Sequence, residues 1–361
     1  MEKINKVWSY VAALLLATGL LLPAPALAIE AETEEEKGLD VTAMIFDHIG
    51  DSYYWHLFDI DEHTQVSMPL PVLVYSSQTG MHSFMSSRFH HGHESYDGLR
   101  IAHEGEPYAG KIVEEVNGEW VRPTLDLSIT KKVAGLIITS ILLVWMILGC
   151  ARWYKNKDEK QPAPKGFVGT VEMLVSYVYN DVIKPNIPKN TERYAPYLLT
   201  AFFFIFFNNL CGLIPGSANL TGNIAITVTL ALFTFFTTNI FGTGAYWSEI
   251  FWNKELPAWL RPIMAIIEFI GLFTKPFSLT IRLFANILAG HCALLGVLSV
   301  IFLTAISMPG VGNGAMSFVS ILLGIFLDCL ELLVAFIQAF VFTMLSSIYI
   351  GLSQAEHHHH E

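Results

Sequence analysis

Charged residues are scarce in this 361-residue chain. Asp, Glu, Lys and Arg make up 15% of it and hydrophobic residues 53%, whereas about 25% of a soluble domain is charged. The sequence also lacks the phosphate-binding motif G-x-x-x-x-G-K-[ST], so we expect the chain itself not to bind or hydrolyse nucleoside triphosphates. These deficits predict a membrane protein with several spans rather than a soluble nucleotide-hydrolysing enzyme.

Cysteine is scarce as well. The chain has four cysteines, all in apolar segments: Cys150, Cys211, Cys292 and Cys329. They predict small buried side chains and no disulfide framework. The formal net charge of −11 does not suggest a nucleic-acid partner. Acidic residues crowd residues 30–120, which indicates a solvated region outside the membrane.

Residues 1–28 have the composition of a secretory signal peptide. Lys3 and Lys6 precede an apolar core at residues 11–22, and residues 26–28 form an A-x-A cleavage motif. An uncleaved anchor is the alternative, but the core is shorter than the roughly 20 residues that span a bilayer. We therefore expect cleavage, which leaves the mature N-terminus on the extracytoplasmic side.

Residues 29–128 predict a small β-rich extracytoplasmic domain. Residues 53–58 and 66–75 have strand character, and glycines mark turns at Gly80, Gly92, Gly105 and Gly118. One alternative function places the activity here, in a membrane-anchored binding or sensor protein. Its metal-site candidates are His90, His91, His93, Glu94 and His103, but a loop of this kind more often carries solvated or structural histidines.

Residues 133–352 predict an all-α polytopic membrane domain. We expect five transmembrane helices, at 133–150, 195–214, 224–242, 263–306 and 315–352, with an amphipathic interfacial helix at 167–184 that Pro185 and Pro188 end. Basic residues after the first span, and the basic loop 243–262, predict cytoplasmic loops. The last two spans are long enough to be tilted and to form a hairpin, and residues 353–361 form a cytoplasmic tail. We assign no function to the terminal histidines.

Arg282 lies in the middle of a long apolar stretch. Its guanidinium stays protonated, and placing it at the centre of a membrane helix costs at least about 2.5–3.5 kcal/mol. Such a residue indicates a functional site on an ion or substrate path. Folding the last two helices as a hairpin about residue 310 places Arg282 level with Gln338, and His291 level with Glu331.

Helical spacing separates these residues into faces. Ser278, Arg282 and Asn286 are spaced by four residues and form one stripe, with Lys275 two turns before Arg282. His291 points to the opposite face, towards Glu331. On the last helix, Asp328, Glu331 and Gln338 share a stripe.

Each of these residues also has a purely structural interpretation. Arg282 can be paired with a buried acid, and His291 and Glu331 can form a satisfied buried pair. Glu268 and Lys275 can be residues of the membrane interface. Asn286 and Gln338 can join helices by hydrogen bonds, and Asp328 can be one more hydrated residue. A structural role for the whole set together is much less favoured.

The segment KPFSLTIRLFANILAG, residues 275–290, closely resembles the signature of subunit a of the F-type ATP synthase membrane sector. The resemblance extends to PKGFVGTVEMLV, NNLCGLIPG, TGNIAITVTLAL and ELLVAFIQAFVFTMLSSIYI, and so covers roughly residues 133–352. Residues 29–128 lie outside it. The resemblance implies a bacterial inner-membrane subunit that is no enzyme on its own and carries no cofactor or metal.

The resemblance also implies roles for individual residues. Arg282 matches the essential arginine that faces the rotating c-subunit ring. The inlet of the proton path is assigned to His291, Glu331, Asn286, Gln338 and Asp328, and the outlet to Glu268, Lys275 and Ser278. The implied partners are the c-ring, the b-subunit peripheral stalk, the F1 sector through the stalk, and membrane lipid.

The sequence departs from the pattern of many bacterial members in two ways. His291 and Glu331 are reversed in order relative to them, which keeps one donor and one acceptor at matched depth. Asn223 replaces an Asp, which casts doubt on an acid role there.

An independent secondary transporter is the other functional class, but it usually has repeated halves, and we find no internal repeat. The sequence leaves open the ring size, the choice of H⁺ or Na⁺, and the direction of operation.

Overall fold

The computed structural model describes residues 50–354, apart from 62–63, 93, 104, 117, 156–163, 215–216, 218–219, 253–255 and 308–309. The expected signal peptide and residues 355–361 of the expected tail therefore lie outside the described residues. A small strand-rich region is followed by long apolar helices, which confirms the predicted fold class.

The N-terminal region contains three small antiparallel sheets. One pairs β1 with β2, the second has the order β4-β3-β8, and the third β5-β6-β7. The strands are β1 Tyr54–Asp61, β2 Thr64–Pro69, β3 Pro71–Ser76, β4 Gly80–Met85, β5 Leu99–Ile101, β6 Ile112–Val116, β7 Glu119–Val121 and β8 Leu125–Asp126, with a 3₁₀ helix at Ser86–Gly92.

Residues 66–75 have the predicted strand character, but they form two strands rather than one. The run divides at Leu70 into β2 and β3, which belong to different sheets. Pro69 and Pro71 have no N–H to donate, so a single ladder is interrupted on both sides of Leu70. The Leu70 N–H donates instead to Ser86 Oγ at 3.0 Å, and its carbonyl accepts from the Ser86 N–H at 2.9 Å.

Tyr53 connects the sheets through the centre of the strand-rich region. It belongs to a buried cluster that also contains Val72, Val74, Phe89, Leu99 and Ile112. Its hydroxyl donates to Asp126 Oδ2 at 2.6 Å and accepts from the Ile112 N–H at 3.4 Å. Burial, and then the Asp126 carboxylate, raise the pKa of Tyr53 far above its usual value, so the phenol stays a neutral donor.

The strand-rich region joins the first membrane helix without a free linker. Ile129 N–H donates to the Pro71 carbonyl at 3.0 Å, and Lys131 N–H donates to the Ser52 carbonyl at 2.8 Å. Lys131 is the first residue of helix α1, Lys131–Lys155. Backbone hydrogen bonds thus connect the strand-rich region to the helix and fix the N-terminal end of α1.

The described residues contain four helices long and apolar enough to cross a membrane. They are α1, α3 at Thr191–Gly212, α6 at Arg261–Ser307 and α7 at Val311–Ser353. Helix α4, Ile224–Ile240, and helix α5, Gly244–Trp252, are bent by 97° and together make a fifth candidate. This agrees with five predicted spans, but the expected loop 243–262 contains α5. That helix packs through Tyr246 and Ile250 against Leu272 of α6.

The predicted amphipathic helix is only partly at a surface. Helix α2, Phe167–Tyr177, continues as a π-helical turn at Val178–Ile183 and a short helix at Lys184–Asn186. Val178 and Ile183 are completely buried, and Asn186 Nδ2 donates to Ser347 Oγ of α7 at 3.1 Å. The helical run ends at Asn186, between Pro185 and Pro188, where the two prolines predict its end.

Helices α6 and α7 form the expected hairpin. They have 47 and 43 residues, and Gly310, with a φ of 90°, precedes α7 at the turn. A Cβ at Gly324 of α7 would contact Leu298 of α6 at 3.7 Å, which fits the predicted antiparallel register. The hairpin therefore sets the depth at which each polar residue of the two helices lies.

Gly351 is a point of close backbone contact between α7 and the segment after α2. A Cβ there would lie 2.0 Å from the Asn186 carbonyl oxygen, whereas a Cβ at Gly149 of α1 would meet nothing within 4 Å.

We predict that Gly351→Ala destabilises the membrane domain by about 1–3 kcal/mol through overpacking. Gly149→Ala should be neutral or stabilising, since alanine is the better helix former. Thermal unfolding in detergent measures both, and equal melting temperatures for the two variants would contradict the assigned contact.

Candidate functional site

Arg282 lies on an open face of α6. Its side chain is exposed, and Ser278 and Asn286, one turn before and after it, are exposed as well, as their spacing predicts. Within the part of the chain that the structure describes, the guanidinium has no hydrogen bond or ion pair. The same face carries small exposed residues that sequence reasoning did not single out, Ala285, Ala289 and Ala293.

Gln338 is not a direct partner of Arg282. It is 6% exposed, on the buried side of α7, and no hydrogen bond joins the two side chains in the described chain. The expected hydrogen bond between them is therefore absent from the described chain, and the guanidinium has no counter-charge there.

His291 and Glu331 contact each other across the hairpin. His291 Nε2 lies 3.5 Å from Glu331 Oε1, and the two side chains are 16% and 6% exposed. Gly290 makes room for the carboxylate, since a Cβ there would lie 3.1 Å from Oε1. Glu331 Oε1 is buried without a hydrogen bond, which leaves it able to accept a proton or a water. Asp328, one turn earlier, is exposed.

A second polar group lies beside this pair and was not assigned a role from the sequence. Asn209 Nδ2 of α3 donates to the Ala335 carbonyl at 3.3 Å, and Thr221 Oγ1 donates to Asn209 Oδ1 at 2.6 Å. Ala335 is one helical turn beyond Glu331. The neighbouring Asn208 Oδ1 is buried without a hydrogen bond. Two adjacent asparagines in an apolar helix were the available signal.

Lys275 lines a narrow cavity nearer the start of α6. The cavity has a volume of about 10 Å³, which is close to the space that one water needs. The Lys275 Nζ lies 5.6 Å from the centre of the Tyr349 ring. Its other polar lining residues were not expected from the sequence: Thr234, Thr238, Asn239 and Tyr246.

The other two expected outlet residues lie elsewhere. Glu268 is partly buried two turns before Lys275 but does not line this cavity. Ser278 lies on the exposed face with Arg282. The structure thus brings the inlet pair His291 and Glu331 together, but it does not gather the three outlet residues in one place.

Asn223 caps helix α4. Its side-chain oxygen accepts from the Ala225 N–H at 2.9 Å, which satisfies one of the free amide groups of the first turn. Asparagine and aspartate both accept such a bond, so the departure from the family pattern leaves the structural role intact.

The histidines of the strand-rich region do not form a metal site in the structure. Among the described residues there is no group of three or more metal-ligating side chains. His90 Nε2 lies 3.7 Å from Glu94 Oε2, and both side chains are mostly exposed. His93 lies outside the described residues. The metal interpretation therefore has no support from this geometry.

A fixed charge and a titratable pair between long apolar helices define a class of protein, the polytopic membrane proteins that conduct ions. A family model described as ATP synthase A chain matches residues 136–351, and one described as a domain of unknown function, DUF8433, matches residues 44–127. The chain belongs to the family of ATP synthase A chains.

Similar relatives carry matching names. The ATP synthase subunit a of Anaeromyxobacter dehalogenans is 43% identical over 73% of this chain and 70% of its own length. That of Chlorobium phaeobacteroides is 42% identical over 75% and 83%. The ATP synthase subunit a 2 of Prosthecochloris aestuarii is 40% identical over 80% and 90%. The resemblance is thereby confirmed, and with it the predicted function: a proton-channel subunit of the rotary complex that is not an independent enzyme.

We predict that Asn223→Asp leaves the stability of the protein unchanged within about 0.5 kcal/mol, because a carboxylate caps a helix as well as an amide does. Asn223→Ala should cost about 0.5–2 kcal/mol, since an amide group of the first turn loses its acceptor. Thermal unfolding compares the three proteins. A loss of stability in Asn223→Asp equal to that in Asn223→Ala would exclude the capping role.

Proposed function

We propose that Arg282 separates two proton half-channels and meets, one after another, the carboxylates of a rotating c-subunit ring. The observation that carries this proposal is the exposed guanidinium without an anionic partner in the described chain. Left against lipid, it would cost at least about 2.5–3.5 kcal/mol. A carboxylate on another subunit removes that cost, and the alanines of the same face allow a helix to approach closely.

The inlet half-channel passes His291 and Glu331. Histidine titrates near neutral pH, and the unbonded Glu331 oxygen offers an acceptor beside it. Asp328, exposed one turn away, hydrates the approach to the pair. Asn286, on the open face, lies between the pair and Arg282 along α6, and Gln338 is the buried polar group that the hairpin register places level with Arg282. Asn209 steadies this region through its bond to α7.

The outlet half-channel leaves on the other side of Arg282. Ser278 provides a hydroxyl on the open face, next to the point where a ring carboxylate loses its proton. Glu268 precedes Ser278 in α6 and lies on the same side of Arg282 along the helix. The narrow cavity beside Lys275 has several polar groups among its mainly apolar lining and room for about one water, and it is the route that we assign to the released proton.

The mechanism is electrostatic. A ring carboxylate that is neutralised at the inlet can move into lipid, whereas a charged one cannot. Near Arg282 the next carboxylate is held in its charged form and releases its proton to the outlet. The same positive charge prevents protons from passing directly between the half-channels. A membrane potential of about 100 mV supplies about 2.3 kcal/mol for each proton that crosses.

The chain is a multi-pass membrane protein with partners in the ATP synthase complex. In our proposal the basic residues after α1 lie in the cytoplasm of a bacterial cell, as does the C-terminus. The strand-rich region then faces the extracytoplasmic side. A b-subunit stalk holds the chain against the F1 sector while the ring turns.

We predict that Arg282→Ala abolishes proton-driven ATP synthesis, because nothing then draws the ring carboxylate into its charged form. The rate of ATP synthesis in energised membrane vesicles is the measurement. Arg152→Ala, which removes an equal charge at the end of α1, is the control and should keep near-normal synthesis. Synthesis at the wild-type rate in Arg282→Ala would refute the proposal.

We also predict that exchanging the inlet pair preserves activity. His291→Glu alone places two carboxylates together and should lower proton flux by at least about tenfold. The double variant His291→Glu with Glu331→His restores one acid and one imidazole at the same depth and should recover most of the flux. Proton uptake by inverted vesicles with equal amounts of assembled complex tests this. A double variant no better than His291→Glu alone would count against a relay between these side chains.

A further inference from the structure

A groove runs between α3 and α4, apart from the proton path described above. It has a volume of about 210 Å³ and is lined mainly by apolar surface, with aromatic side chains along its length. Its lining includes Arg193, Tyr194, Tyr197, Phe204, Phe233 and Phe241. None of its lining residues is shared with the cavity beside Lys275, so the groove needs an explanation of its own.

The mouth of the groove is cationic. Arg193 is exposed in the first turn of α3, next to the exposed Glu192, and it is the charged residue among those that line the groove. Its guanidinium lies 4.6 Å from the centre of the Phe241 ring and 5.7 Å from that of Tyr194. No carboxylate pairs with it in the described chain. The Tyr194 hydroxyl is buried there without a hydrogen bond.

The dimensions of the groove match one leaflet of a bilayer. Phe204 lies about 16 Å further along α3 than Arg193, at 1.5 Å per residue. Half of a hydrocarbon core is about 15 Å thick. The groove is therefore long enough to extend from the headgroups to near the bilayer centre. Arg193 lies at the headgroup end, and the aromatic rings lie towards the bilayer centre.

The distribution of charge along the groove favours a lipid as the occupant. An unpaired guanidinium at one end and mainly apolar surface along the rest match the phosphate and the acyl chain of one phospholipid. A single hydrocarbon chain is thin enough to fit. We propose that the groove binds one anionic phospholipid, with its phosphate at Arg193 and one acyl chain between α3 and α4. In the orientation proposed above, the start of α3 is cytoplasmic, so the lipid would belong to the cytoplasmic leaflet.

Native mass spectrometry of the complete complex, delipidated in mild detergent, tests this site. Phosphatidylglycerol and phosphatidylcholine are added back separately, and the lipid retained per complex is counted. We expect preferential retention of phosphatidylglycerol, and a loss of about fivefold in its affinity in Arg193→Gln. Arg261→Gln is the matched control. It also removes a cation next to an aromatic ring at a helix end, but its Nε already donates to the Leu256 carbonyl at 2.9 Å.

A second variant separates the acyl chain from the charge. Thr237→Phe adds bulk inside the groove and should lower retention of both lipids without altering the preference for phosphatidylglycerol. If this variant fails to assemble, the Arg193→Gln comparison still decides the matter. Equal retention of the two lipids by the wild type, or equal losses in Arg193→Gln and Arg261→Gln, would overturn the proposal.

A photo-crosslinker at Thr237 identifies the occupant directly. Cross-linking to phosphatidylglycerol supports the site, and cross-linking to a protein subunit shows that a partner helix occupies it instead. Because proton-driven synthesis is measured separately, loss of the lipid with normal synthesis would leave the proton path untouched. Loss of synthesis in Arg282→Ala, conversely, has no bearing on lipid retention.

Discussion

The membrane domain depends on one constraint: a permanent positive charge cannot lie against hydrocarbon without a counter-charge. Arg282 meets no such partner in the described chain, and its neighbours on α6 are small or polar. The exposed face of α6 therefore lacks a counter-charge for Arg282 in the described chain. In the proposed mechanism a carboxylate on another subunit supplies that counter-charge as it moves past, so the charge is compensated without being permanently paired.

The remaining structure holds that charge at a fixed depth. The α6–α7 hairpin brings His291 to Glu331, and Gly290 leaves space for the carboxylate. Beneath α7, the segment after α2 is packed so tightly that Gly351 admits no side chain. Asn209 and Asn223 complete the frame by bonding to backbone groups. The proposed proton path depends on these fixed positions, since a displaced titratable group would lose its partner.

The ends of the helices are fixed by different interactions. Backbone hydrogen bonds attach the strand-rich region directly to α1, so this region extends the membrane domain rather than hanging from a flexible linker. At the start of α3, Arg193 lies over two aromatic rings and leaves its charge available. In the two proposals, a lipid phosphate is the counter-charge of Arg193 and a ring carboxylate is that of Arg282. Each cation then depends on a neighbour of the chain.

The sequence alone determined the fold class, the hairpin and the position of Arg282, because long apolar runs and an intramembrane charge are local signals with few alternatives. It also predicted the His291–Glu331 contact, since an antiparallel hairpin fixes which residues share a depth. Only the tertiary structure decided that Gln338 is buried without a hydrogen bond to Arg282, that Asn209 bonds to α7 and that Lys275 lines a cavity. These relations depend on how helices rotate and pack against distant parts of the chain, which periodicity within one segment does not specify. The division of the strand at Leu70 and the helix inside the loop 243–262 were missed for the same reason.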